Sequence, residues 1–252
     1  MNPRPRPHSG GLPALSLFLF AASTFLLAAD GLPDPLWRKA IAVASTNADW
    51  VPGLVVMRSE VLRKGASQGV HEMWQRSTLD QKGEVVTQTV KILEDGKDVT
   101  EKEKPKNKAT GAPRKKPGGP TGGNPFDPEV QDRILLKLAP SSRTIAGRDC
   151  VGYAFELKTG DGALAKGVAW LEKGTGIPAE IENMTLEPLP EKHLKRLAFT
   201  TRYGTTADGV WRVQTIETTG TVSVMFITAD IRSVMTFSEY WKKPRRETPS
   251  TP

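Results

Sequence analysis

The sequence predicts a mainly β, largely antiparallel domain, and three observations carry that expectation. Segments rich in Val, Ile, Thr and aromatic residues recur from residue 54 to 240, and most alternate apolar with polar side chains, the period of a strand. Turn signals separate them: Gly65, Gly83, Asp95-Gly96, Lys173-Gly174-Thr175-Gly176, Asp208-Gly209 and Gly220. Only residues 35–46 read plainly as a helix. About ten strands at short spacing fit a sandwich, a barrel or a long curled meander.

Taken in order, residues 1–29 read as a secretory signal peptide. Arg4 and Arg6 precede an apolar run from Leu12 to Leu27, and the small residues Ala28-Ala29 supply a cleavage context before Asp30. The alternative is an uncleaved anchor, since the run approaches the ~20 residues that span a bilayer. Pro13, Ser16, Ser23 and Thr24 weigh against it. No cysteine follows the run, so no lipid-anchored N-terminus is expected, and the mature protein is expected to be soluble and periplasmic. Asp34-Pro35 then opens a helix over 35–46: Asp accepts at the N-cap, and Pro at the first helical position forfeits no hydrogen bond. Leu36, Ala40 and Val43 recur on one side, with Trp37, Ile41 and Ala44 widening an apolar face that must cover something.

Strands are expected over 54–62, 70–79 and 84–93, the last with Val86, Val90 and Ile92 on one face. Residues 97–123 differ in kind. Eight basic residues stand there against Asp98, Glu101 and Glu103, interleaved with four prolines and ending in Gly-rich pairs. So little of this can be buried that ordering it has no offsetting gain, and a disordered insertion is predicted. Weak contact of its charges with an anionic lipid surface is the functional alternative to a solvated loop. Asp127-Pro128 repeats the helix-start pattern, yet Ile134, Leu136 and Leu138 alternate; a strand over 132–139 is favoured. Further strands follow at 150–158, 165–172, 177–186, 194–203, 210–216, 222–228 and 231–240. Val222, Val224 and Phe226 oppose Met225 and Ile227, and Met235 and Phe237 oppose Val234, so both faces of these strands are apolar. Either helices cover the second face or a cavity lies within. Residues 242–252 form a basic tail expected to be disordered.

The formal charge of +7 is uneven. The first 29 residues carry two basic groups and no acid, the insertion contributes five net positive charges and the tail three, which leaves the folded body near −3. The high pI therefore belongs to flexible segments, and nucleic acid is not an expected partner. Cys150 is the only cysteine, so no internal disulfide forms and stability must come from packing. It is expected to be a buried small apolar residue.

Catalytic chemistry finds few candidates. His71-Glu72-Met73-Trp74-Gln75 begins like a zinc motif, but Gln75 stands in the second ligand position. In a strand, positions i and i+4 lie about 13 Å apart at ~3.3 Å per residue, too far for one ion. His71 is read as a surface residue and His193 as a loop residue. No nucleophile elbow, S-x-x-K pattern or dinucleotide fingerprint is present. Glu180 and Glu182 share a strand face without further signal, and the Asn183-Met184-Thr185 sequon reads as incidental. No catalytic residue, metal or cofactor is expected, and an esterase-like enzyme is disfavoured.

With the C-terminal half laid out, a resemblance becomes visible. Ala169-Trp170-Leu171-Glu172-Lys173-Gly174-Thr175-Gly176-Ile177-Pro178 resembles the W-L-D-x-x-T-G-L-P hairpin of outer-membrane lipoprotein-sorting (LolA-like) proteins. Ile145-Ala146-Gly147-Arg148-Asp149-Cys150-Val151-Gly152-Tyr153 is similar to the x-G-R-x-x-Y strand before it, and Phe237-Ser238-Glu239-Tyr240-Trp241 to the final F-S-x-Y strand. The resemblance covers residues 130–241. It implies a single domain over 30–241, built as an incomplete, strongly curved antiparallel β-barrel with the N-terminal helix covering or plugging its open side. It also implies a cavity that binds acyl chains. The chain departs from the family in its 97–123 insertion, and no position matches the family's ligand-handling basic residue.

The expected function is thus a non-catalytic periplasmic carrier or sensor, with lipid or lipoprotein acyl chains as partners and an envelope membrane protein as a further one. Trp74, Trp170, Phe199, Trp211, Met225 and Phe237 are the candidate cavity walls. The competing expectation is a cell-envelope protein-interaction module of the same fold with a filled core.

Overall fold

The computed structural model describes residues 34–103, 123–160, 162–206, 209–225 and 227–244. All of them belong to one compact unit, Pro33–Pro252. The expected signal peptide, residues 104–122 of the expected insertion, Asp208, Phe226 and the tail from residue 245 lie outside the described residues.

Helix α1 runs Pro35–Thr46. The Asp34 carboxylate accepts the Leu36 amide at 2.8 Å, so the expected cap forms, and Trp37 and Ala40 are buried on one side. Strands follow as β1 Trp50–Val51, β2 Leu54–Arg63, β3 Ala66–Leu79, β4 Val85–Glu94 and β5 Lys97–Asp98. After a 3-10 turn at Pro128–Arg133 come β6 Ile134–Ile145, β7 Arg148–Lys158, β8 Leu164–Glu172 and β9 Pro178–Glu187. The last four are β10 Leu194–Thr205, β11 Trp211–Val224, β12 Ile227–Ser238 and β13 Trp241–Lys242.

Eleven strands form one antiparallel sheet in the order β5-β4-β3-β2-β12-β11-β10-β9-β8-β7-β6, and β1 pairs with β13 apart from it. Every neighbour is joined by a hairpin except β2 and β12, which bring the two ends of the domain together. The end strands β5 and β6 do not pair with one another. The sheet is strongly curved and unclosed, an incomplete barrel bearing an N-terminal helix.

Two segments settle locally in instructive ways. Asp127 does cap a helical turn, accepting the Glu129 amide at 2.9 Å, but the turn stops at Arg133 and the alternation of Ile134, Leu136 and Leu138 becomes strand β6. Both competing sequence signals are therefore used, one after the other. β6 carries Pro140 where its pairing to β7 shifts register between Leu138 and Ser142, on an edge strand where a missing N–H is tolerated. The expected disordered insertion over 97–123 is not disordered at its start, since residues 97–103 are ordered. Lys97–Asp98 pairs with β4, and Thr100 is buried, its hydroxyl accepting the Ile92 amide at 2.9 Å. Three hydrogen-bonding positions in Asp98-Val99-Thr100 anchor a stretch that composition alone reads as solvated.

The main core lies between the helix-bearing face of β7–β10 and a cover made of α1 and residues 124–133. Trp37, Phe126, Tyr153, Phe155, Leu171, Ile181, Met184 and Phe199 meet there. Trp37 donates its indole N–H to Gln131 at 2.9 Å, and Gln131 in turn donates to the carbonyls of Pro125 and Asp127, so helix and loop act as one lid.

Candidate apolar binding face

Cross-strand register assigns each side chain to a face, because directly paired residues point the same way. One row on the helix-bearing face runs Tyr153, Ala169, Ile181, Thr201, Ile216, Met235, Met57, Met73 and Ile92, crossing from β7 to β4. Its first part is the core under α1. Beyond Ile181 the core cluster takes in none of the row; Thr201 and Ile216 are still buried, and Met235, Met57 and Met73 then stand side by side, half-buried. At the far end Ile92 is buried again, beside Thr100. Val55 and Phe237 are paired on the same face one step away, and Val61 and Ile231 on the other side. Between them Ser59 and Ser233 share a hydroxyl hydrogen bond at 3.0 Å, with His71 paired to Ser59 and then Glu94. The result is an apolar strip of methionine and branched side chains, crossed on one side by the Ser233–Ser59–His71 row and bordered on the other by Gln75 and Thr89, both of which donate to the Met73 sulfur. Unbranched, polarisable methionines adapt to irregular apolar ligands.

The six candidate wall residues do not converge on this strip. Phe199 is buried in the core under α1. Trp211 stacks on Tyr203 with centroids 4.4 Å apart and donates its indole N–H to the Pro178 carbonyl at 2.6 Å. Phe237 lies on the strip. Trp74 and Trp170 are one residue out of phase with Met73 and Ala169 and occupy the opposite face. Trp74 lies beneath Lys91, whose ammonium is 5.5 Å from the ring centroid. Trp170 lies beneath Arg143 at 4.2 Å and donates to Glu182 at 2.9 Å. Met225 is 89 % exposed at the tip of the β11–β12 hairpin. A large apolar residue in a strand marks burial, but which face it joins depends on register that the residue itself does not carry. Met57 and Met73 are brought together by long-range strand pairing, which no local sequence signal carries.

The opposite face carries charge. The Glu180 carboxylate, with its side chain 9 % exposed, accepts from Arg143 and from Arg202, the latter at 3.0 Å. Arg202 reaches on to Glu217 at 2.8 Å, and Arg143 to Glu182 at 3.1 Å. The Glu217 hydrogen bond raises the Arg202 pKa, only partly opposed by desolvation. Glu180 and Glu182 thus act together as acceptors for a cationic pair.

Two groups elsewhere, Cys150 and Tyr153, are shifted toward their neutral forms. Burial pushes the Cys150 thiol up, and burial together with the Asp34 carboxylate pushes the Tyr153 phenol well above its ordinary value. His193 is exposed in the β9–β10 loop and His71 is half-buried on β3. Among the described residues no group of three or more His, Cys, Asp or Glu side chains is placed to hold a metal ion. Among them, too, no helix is long and apolar enough to cross a membrane. An open depression of about 550 Å³ lies at the β4 edge, lined by Val90 and residues 98–102.

No family model matches the chain, and no curated protein matches it. Among solved structures, it is similar to a domain from Vibrio parahaemolyticus described as an outer membrane lipoprotein-sorting protein. The identity is 16 % over 84 % of this chain and 95 % of that one, with a TM-score of 0.35. It is similar also to a LolA superfamily protein from Nitrosomonas europaea, at 12 % identity over 84 % of this chain and 93 % of that one, TM-score 0.34. The Pseudomonas aeruginosa MucA/MucB complex shows 11 % identity over 82 % of this chain and 99 % of that one, TM-score 0.21. At TM-scores this low the likeness carries no functional weight.

Proposed function

We propose that the chain is an exported, non-catalytic carrier or sensor that lays an acyl chain of a lipid or lipoprotein along the Met235–Met57–Met73 strip. The observation that supports this reading is the unequal covering of one sheet face. α1 and residues 124–133 bury the β7–β10 half, while the same face continues as half-exposed apolar side chains over β12, β2 and β3. Hydrophobic transfer gives ~0.8 kcal/mol per buried CH₂, so about a dozen carbons supply roughly 10 kcal/mol gross, enough to outweigh ordering of the chain. Natively purified protein, extracted with organic solvent and analysed by mass spectrometry, is expected to release stoichiometric lipid. Retention of none, together with no saturable binding of a fluorescent fatty acid, overturns the reading.

The second reading is an envelope protein-interaction module, and one observation favours it. The half under α1 is solid: Trp37 packs on Phe126 at 4.9 Å and on Tyr153 at 5.8 Å, and Trp211 on Tyr203. Any ligand must therefore use the uncovered half. A protein segment laid along the strip would leave the extracted preparation lipid-free.

A further inference from the structure

The β11–β12 hairpin ends unlike the other turns of the sheet. β10 pairs with β11 as far as Val222, and β2 pairs with β12 as far as Asp230. One further bond, from the Ser223 amide to the His193 carbonyl at 2.9 Å, supports the outgoing strand. Beyond these points the hairpin continues alone to its last pair, Val224 with Ile227. At ~3.3 Å per residue it runs on the order of 7–10 Å beyond its last pairs with β10 and β2. A projecting turn would ordinarily be polar. Here Met225 is 89 % exposed, Ile227 52 % and Val224 43 %. Met225 holds a left-handed backbone, φ 52°, a conformation for which glycine or asparagine is the unstrained choice. An apolar side chain is thus kept at the point of a turn at a conformational cost.

Antiparallel topology places the β2–β3 turn and the β9–β10 loop at the same end of the sheet. They bring Arg63, Lys64, Lys192, Lys195 and Arg196, all exposed, around the apolar tip. The acids at these strand ends are Glu187, Glu191 and Asp230, with Glu94 and Asp95 on the more distant β4; Glu187 already pairs with Lys166 at 3.1 Å, and Asp230 accepts from Thr221 at 2.8 Å. Apolar side chains at the point and cations set back from it match the layering of a bilayer interface, with acyl chains inside and anionic head groups outside. We infer that the β11–β12 tip inserts Met225 and Ile227 into an anionic phospholipid bilayer while the flanking lysines and arginines rest on its head groups. The inference does not depend on the ligand strip. If both hold, Ile227, Ala229 and Ile231 share a face of β12 and lead from the tip to the strip.

The test places an environment-sensitive fluorophore at the tip through Met225→Cys in the full chain, with Lys82→Cys at the opposite end of the sheet as control. Cys150 is fully buried with its thiol pKa raised, so it stays unlabelled in the native fold. With phosphatidylglycerol–phosphatidylethanolamine vesicles, the label at position 225 is expected to blue-shift and to be quenched by a bilayer-embedded quencher, while that at 82 stays aqueous. Charge removal by Arg63→Gln, Lys64→Gln, Lys192→Gln and Lys195→Gln is expected to weaken this response at least tenfold, as is replacing phosphatidylglycerol with phosphatidylcholine. A label at 225 that remains in water overturns the inference. So does an equal response at both positions, which means non-directional adsorption, or a concentration-dependent shift without vesicles, which assigns the tip to self-association.

Discussion

The phenol of Tyr153 donates to the Asp34 carboxylate at 2.8 Å, and the same carboxylate oxygen caps α1 by accepting the Leu36 amide. One atom therefore fixes the start of the helix and ties it to β7, the strand next to the β6 edge of the sheet. Asp34→Ala is expected to lose about 1 kcal/mol for the cap and a further ~1 kcal/mol for the orphaned phenol. Tyr153→Phe removes only the second part. In denaturant unfolding the double variant should cost less than the sum of the singles, with a coupling of about 1 kcal/mol. Strict additivity would mean that the bond contributes nothing.

All three tyrosines of the chain have pKa values pushed up. Burial is the leading cause each time, joined by Asp34 at Tyr153 and by Tyr240 at Tyr203, and opposed by Arg212 at Tyr240. The folded state thus keeps its phenols protonated while the unfolded chain ionises near pH ~10. The stability they contribute is fully present below that pH and falls as pH rises beyond it. Phenolate absorbance should therefore appear in one cooperative step together with loss of native circular dichroism. Reversible ionisation of any tyrosine near pH 10 in a native chain contradicts this.

The helix and its cap were legible because Asp34-Pro35 and the spacing of Leu36, Ala40 and Val43 are local signals. Most strands were legible because alternation and Gly-containing turns are local too. Gly220 is the exception, lying inside β11 while the turn expected there falls at Met225, so the strands expected over 210–216 and 222–228 are redrawn. Which side chains face one another is not local. Leu54–Leu62 meets Ser238–Asp230 across nearly the whole chain, and bulges reset the phase at Glu60/Leu62 and Trp74/Gln75. Size and apolarity thus singled out Trp74 and Trp170, which the register turns away from the helix, while the less conspicuous Met57 and Met73 form the strip. Composition misled at Lys97–Glu103 for a related reason, since backbone pairing to β4 and the Thr100 hydroxyl hold a segment that has almost no apolar content.

The methionines offer a direct reading of exposure. Met225 should oxidise first under dilute peroxide, Met57, Met73 and Met235 more slowly, and Met184, 2 % exposed, last. Peptide mass spectrometry gives the order. Added long-chain fatty acid is expected to slow the three strip methionines severalfold and to leave Met225 unchanged in the absence of vesicles. Uniform protection, or none, counts against a ligand on the strip.

On the opposite face, Glu180 joins Arg143 and Arg202 within the sheet. Glu180→Leu strands two guanidinium groups that are themselves partly in water, so the loss is expected at about 1–3 kcal/mol rather than the full cost of a buried orphan charge. Lipid retention should be unaffected, because the network lies across the sheet from the strip. A variant that unfolds normally yet loses lipid would move the binding face.

The β8–β9 turn is where helix and sheet meet most closely. The Lys39 ammonium donates to the Gly174 carbonyl at 2.7 Å, and a Cβ at Gly176 would lie 2.7 Å from the Lys39 Cβ and 2.8 Å from the Leu36 carbonyl oxygen. Neither neighbour is the free end of a flexible chain, so α1 itself must shift. Gly176 also holds φ +73°, where an L side chain is strained. Gly176→Ala is therefore expected to destabilise by about 2–3 kcal/mol, combining backbone strain with displacement of the helix. Gly174 has the same kind of backbone, φ +85°, but open space around its Cβ position, and Gly174→Ala should cost only about 1 kcal/mol. The difference between the two variants in thermal unfolding isolates the helix contact from the turn geometry. Equal losses would mean that α1 does not rest on this turn.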